Sequence, residues 1–267
     1  MSCSSTVDPL PPLPLDGWRD TKDTLHLYLQ IIGKVRLEMM PRQNHWWHVP
    51  LYVSPRGFTT RSVPDRPGTG RLFEVELDVL DPAVRVTTTQ GSERRFGVSD
   101  GLTVAAFYDN VLGALTDLGI EVEIRAEPYG HPSSTTPFAA DVVHASFDAA
   151  AVERFWRILA TVQPVFLRFD GRFTGKRSPV HLFWHSLDLA YTRFSGRTAP
   201  PPDASAGAVA RDAYSHEVIS FGFWAGADSP AAALRTFLES AYRACADAAG
   251  WDRERLRATY AEEARAE

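Results

Sequence analysis

Cysteine is nearly absent: two residues in 267, Cys3 and Cys245. That excludes a disulfide framework and a zinc site built on cysteine. Cys245 falls on the apolar stripe of a predicted helix and reads as buried and inert. An excess of one charge is also lacking, since 28 Lys and Arg oppose 33 Asp and Glu for a net charge of −5. Nothing in that balance draws nucleic acid or an anionic membrane. No run approaches the roughly 18 apolar residues of a membrane span. The opening MSCSSTVDPLPPLPLDG has neither the basic start nor the apolar run of a signal peptide. A soluble, cytoplasmic protein is expected. G-x-G-x-x-G, P-loop, G-x-S-x-G and H-E-x-x-H patterns are missing as well, which removes the common nucleotide, hydrolase and zincin readings.

With 44% hydrophobic residues the chain has material for a substantial core. Residues 1–17, rich in Pro and Ser, read as a flexible tail. Leu25, Tyr28, Leu29 and Ile32 line one face of a first helix, about 20–32. Val104, Phe107, Val111, Leu115 and Leu118 stripe a second. Asp148 caps a third that carries Val152, Phe155, Trp156, Leu159 and Val162. Ser229-Pro230 starts a fourth, striped by Leu234, Phe237, Leu238, Ala241, Tyr242 and Cys245 and ended by Gly250. Between helices the period falls to two. Phe73, Val75, Leu77 and Val79 alternate with Glu74, Glu76 and Asp78, and VRVTTT after Asp81-Pro82 completes a hairpin. The three carboxylates read as a solvated face opposite Arg and Thr, with alternate residues about 6.6–6.8 Å apart. Thr198–Asp212 reads as a mobile loop, and residues 251–267 as a charged, solvent-facing helix.

The elements repeat. A helix leads into KVRLEMM, NHWWHVPLYV and RGFTTRSV, and later a helix leads into PVFLRF, PVHLFWHSL and LAYTRFSG. A further strand and helix close each series. The fold class is therefore α+β: antiparallel β-sheets with packed helices, built from two related helix–strands–helix units. The units span 18–145 and 146–250 and pack as one domain, and a cleft between such halves is a common ligand site.

Polar density peaks in SPVHLFWHSLDLAYTRFSGR, residues 178–197. His181-x-x-x-His185 suits a metal only on a helix; on a strand the two lie about 13 Å apart, too far to share an ion. The odd spacing of His45 and His48 sends them to opposite faces of a strand, and Trp46 and Trp47 serve both. Glu217 shares a face with Ile219, Phe221 and Phe223, so it is either paired with an arginine or raised in pKa. Arg56, Arg61, Arg193 and Arg197 sit at matching strand ends, where they suit a carboxylate or phosphate through bidentate bonds.

TLHLYLQIIGKVRLEMMPRQNHWWHVPLYVSPRGFTT, FAADVVHASFD, FTGKRSPVHLFWHSLDLAYTRFSGR and AYSHEVISFGFWAG together make the chain resemble the domain of unknown function family 5996 over most of residues 18–226. The resemblance implies no established activity or cofactor. It departs where this chain has His185 in place of Gly, and again after the GFW-x-G motif.

The expected function is a small-molecule enzyme with a cleft between two related halves. His45, His48, His181, His216, Glu217 and Tyr214 are its candidate acid–base groups. Arg56, Arg61, Arg193 and Arg197 would hold a substrate anion, and Trp46, Trp47 and Trp184 would form walls. No cofactor is expected. The alternatives are a metal site drawn from His45 or His48 with His181 and Glu217, and a non-catalytic small-molecule-binding or interaction protein. Oligomeric state is left open.

Overall fold

The computed structural model describes residues 10–66, 68–201, 203, 205–225 and 231–257, with the side chains of 231–236 outside that description. The Ser229-Pro230 helix start, Leu234 and the chain from 258 onward lie outside the described residues. So does the predicted tail up to residue 9. Its remainder is docked: Leu13 is buried, and Leu15–Gly17 form a 3-10 turn.

Helix α1 spans Arg19–Met39, and every residue from Thr24 to Arg36 is buried. KVRLEMM therefore belongs to this helix and is not a strand. Its alternation of polar and apolar residues mimics period two, but Val35 and Met39 continue the stripe from Ile32, and Pro41 follows the helix end. Strand β1 is Tyr52–Val53, β2 Gly57–Thr59, β3 Val63–Pro64, β4 Leu72–Asp78, β5 Ala83–Thr88 and β6 Glu93–Gly97. They form an antiparallel sheet ordered β1-β2-β4-β5-β6, with β3 also pairing β4. Phe73, Val75, Leu77 and Val79 are buried, as their alternation requires. On the other face Glu74 accepts from Thr59, Glu76 from Ser54 and Asp78 from Arg56. The three carboxylates are thus structural cross-strand partners.

Helix α2 runs Val104–Asp117 behind a Thr103 cap. Helix α3 runs Ala149–Asp170, capped by Asp148 as expected. PVFLRF is its last turns and not a strand. Val162, Val165, Phe166 and Phe169 extend the buried stripe at helical spacing, and Pro164 faces outward, so the carbonyl it leaves unpaired is on the solvent side. Strands β7 (His181–Phe183), β8 (Asp188–Thr198) and β9 (His216–Phe223) make a second antiparallel sheet. Helix α4, Ala208–Ala213, occupies part of the predicted loop. Helix α5, Ala231–Ala248, buries Leu238 and Ala246 but leaves Phe237 and Cys245 exposed. The predicted burial of Cys245 is wrong: the apolar stripe ends at Tyr242 and Ala246. Residues 251–257 are a turn bridged to Phe173, not a helix, with Trp251 buried.

One continuous core runs from Leu13 to Leu238 through both sheets. The sheets join where β1 meets β7: Leu51 and Leu182 exchange both backbone hydrogen bonds, at 3.0 and 2.8 Å. Trp184 locks that junction onto α1. Its indole lies against Gly33, where no side chain fits, and donates 3.0 Å to the Val49 carbonyl.

Candidate functional site

The antiparallel Leu51–Leu182 bridge sets Tyr52 opposite His181. The Arg36 guanidinium, from the last turns of α1, lies 5.3 Å from the Tyr52 ring centre, and Arg61 stacks on the same ring at 3.6 Å. Arg61 is held there by a left-handed backbone, φ 53°, with its N–H bonded 2.7 Å to Thr59 Oγ1. A non-glycine residue in that region stores strain, which concentrates at functional sites. Arg36 Nη1 donates 2.5 Å to the Thr60 carbonyl, while its Nε has no partner. Among the described residues no carboxylate pairs with Arg36 or Arg61.

His181 is 2% exposed and carries its proton on Nδ1, which donates 2.8 Å to the Pro179 carbonyl. Its Nε2 is buried and unpartnered. Burial, reinforced by the charges of Arg36 and Arg61, pushes its pKa down to about 4, so the ring is neutral with a bare lone pair. The Asn44–Trp46 turn adds His48, also buried and pushed down by burial, which accepts 3.2 Å from the Gln43 N–H. Trp46 stacks on His48 at 5.3 Å with its indole N–H unpartnered. Residues 45–48 do not form the strand expected from the sequence: Asn44–Trp46 is a 3-10 turn in which His45 and Trp46 both adopt positive φ.

His45 faces a different cluster. Its Nε2 accepts 2.6 Å from Lys176, which lies against Trp47 and Phe194, and His216 meets it edge-on at 5.3 Å. Glu217 is paired, the first of the two outcomes expected: it accepts 2.7 Å from Arg197 and 2.9 Å from Ser195. The Arg197 guanidinium holds its carboxyl below the usual carboxylate range. His181 and Glu217 do not meet. Arg56 is engaged by Asp78 at 2.6 Å, and Tyr214 is exposed. Arg193 is 2% exposed among the rings of Phe169, Phe173, Tyr191 and Tyr242. The four predicted arginines therefore do not converge; only Arg61 is at the junction. Among the described residues no three His, Cys, Asp or Glu side chains form a metal-ligand set.

Arg36 was missed because its heptapeptide reads as a strand. Three further histidines also escaped notice: His26, His131 and His144 stand in a row, with ring centres 4.7 and 5.9 Å apart, and His144 donates 2.8 Å to Asp141. Burial pushes His26 down to about 4 and His131 down as well. Lowered histidines stay neutral in the fold while the unfolded chain protonates near pH 6.5. Stability is thus complete above about 6.5 and is lost as pH falls from there toward about 4. Thermal unfolding is expected to show a midpoint dropping between pH 7 and 4.5; a flat midpoint would contradict burial of His26 and His181.

The architecture is an α+β fold that has, among the described residues, two antiparallel sheets and five α-helices, with Arg36, Arg61, Tyr52 and His181 gathered where the sheets join. The chain belongs to DUF5996, a family of unknown function, whose family model matches residues 10–231 of its 267. No curated protein and no solved structure matches it. No helix among the described residues is long and apolar enough to cross a membrane.

Proposed function

We propose that the protein is a small-molecule enzyme performing acid–base chemistry on a polar or anionic substrate where the two sheets meet. One observation carries the reading: His181 is buried and neutral, oriented through Nδ1, with Nε2 bare. A fixed imidazole with a free lone pair is the form a general base takes. His48 is the second proton-transfer candidate and Trp46 a wall. A substrate anion beside His181 offsets the two arginine charges that depress it, and so makes it a stronger base when the substrate is bound. The step is a proton transfer, cyclisation or hydrolysis.

The halves are read as copies of one helix–strands–helix unit. In support, α1 and α3 have 21 and 22 residues, and each precedes a strand that joins the other half at Leu51 or Leu182. The acidic chain is read as cytoplasmic and, as a small-molecule enzyme, suited to a biosynthetic role. Non-catalytic binding is the second reading, favoured by the low pKa of His181, which makes it a weak base while the site is empty. Incubation with a pool of small polar metabolites separates the two. Consumption of a pool component by the protein and not by His181→Gln is expected; no consumption by either leaves only binding.

A further inference from the structure

Among the described residues two arginines, Arg36 and Arg193, are almost wholly buried, and they are treated oppositely. Arg193 is enclosed by four aromatic faces, its Nη2 donates to the Phe169 carbonyl, and its Nε donates 3.3 Å to the Tyr191 hydroxyl. Arg36, 4% exposed, has one carbonyl for Nη1, nothing for Nε and no carboxylate. Burial disfavours its charge and so does the like charge of Arg61, while Tyr52 favours it. Arginine keeps its charge inside a protein, and an uncompensated buried charge is among the costliest features a fold can hold. Tyr52 relieves part of that cost, no carboxylate among the described residues does, and the His181 Nε2 close by is unpartnered too. Arg61 is exposed and has the strained backbone, whereas Arg36 and His181 are buried.

We propose that the β1–β7 junction binds an oxyanion, a carboxylate or phosphate group of the substrate, on the open Nε edge of Arg36, with Arg61 as the second cation. Thr60 occupies one Nη and leaves Nε without a partner, and the Nε edge of a guanidinium takes an oxyanion side-on. The bound group stands next to His181 Nε2, so the site would hold a substrate by its charged end with the transferable proton close by. The word substrate rests on the enzymatic reading above; the binding site does not.

The test titrates the full chain with inorganic phosphate and, separately, acetate at constant ionic strength, following the thermal midpoint and tryptophan fluorescence. At least one anion is expected to give a saturable rise in midpoint. Arg36→Met is expected to abolish it and Arg61→Ala to weaken affinity about tenfold, the loss of one charged hydrogen bond. Arg56→Ala, whose partner is Asp78, is expected to leave it unchanged. Circular dichroism checks that Arg36→Met is folded, and Arg36→Lys, which keeps the charge but loses the planar edge, gives an intermediate affinity if Arg36→Met is not. No saturable response to either anion, or one that persists without Arg36, overturns the proposal. Turnover lost in His181→Gln without anion binding removes this site and keeps the enzyme; anion binding without any turnover removes the enzyme and keeps this site.

Discussion

Arg193→Met is expected to destabilise the protein by about 3 kcal/mol, while Arg36→Met changes stability by less than about 1 kcal/mol. Removing the Arg193 guanidinium leaves the Phe169 carbonyl and the Tyr191 hydroxyl buried without their donor, at about 1–3 kcal/mol for such groups. It also removes a desolvated cation from the Phe169 face, 3.6 Å away, and from the Tyr242 face at 4.3 Å, a contact worth up to about 2 kcal/mol. Methionine refills part of the volume and none of the hydrogen bonding. Arg193→Lys is no rescue, since a point charge cannot stack as the planar group does. At Arg36 the balance differs. The lost bond to Thr60 is offset by relief of an unpaired buried charge, and hydrophobic replacement of such charges is often neutral or stabilising. Denaturant unfolding of both variants checks the contrast. Equal losses would mean that Arg36 has a compensating partner in the folded chain.

That contrast also marks how far the sequence carried. The β4–β5 hairpin was legible because Phe73, Val75 and Leu77 alternate without exception, and α2 because its stripe is apolar throughout. Strand β6, ERRFG, was not, since its side chains are nearly all exposed and carry no burial period. The ends of α1 and α3 were misjudged for opposite reasons: buried Lys34 and Arg36 interrupt one apolar stripe, and Pro164 falsely signals the end of the other. At the junction, His181, His48 and Arg61 were visible as residue types. Arg36, the cation the site turns on, reads from sequence as an outward polar position. Its signal was present in Ile32, Val35 and Met39, which place residue 36 on the buried side of a longer helix. Arg193 carried a similar signal, as it shares a strand face with Leu189 and Tyr191. Periodicity locates a buried charge; it does not tell whether the charge has a partner.

The same substitution in two helices is expected to act with opposite sign. Gly113→Ala on the exposed face of α2 meets nothing within 4 Å and gains helix propensity, about 1 kcal/mol of added stability at most. Gly33→Ala in α1 gains the same propensity but drives a methyl into the Trp184 indole. The helix backbone cannot yield, and the indole is itself fixed by its bond to the Val49 carbonyl, so the overlap is expected to outweigh the gain for a net loss of about 2–3 kcal/mol. Thermal unfolding gives the sign and tryptophan fluorescence reports the displaced indole. Trp184 follows His181 by three residues and Val49 precedes Tyr52 by three, so the wedge acts on both strands of the junction. Phosphate or acetate affinity should therefore fall in Gly33→Ala and hold in Gly113→Ala. Were Gly33→Ala destabilised with affinity intact, α1 would support the fold without setting the distance between Arg36 and His181. A joint loss makes the close approach at Gly33 the reason that a helix cation and a strand imidazole share one site.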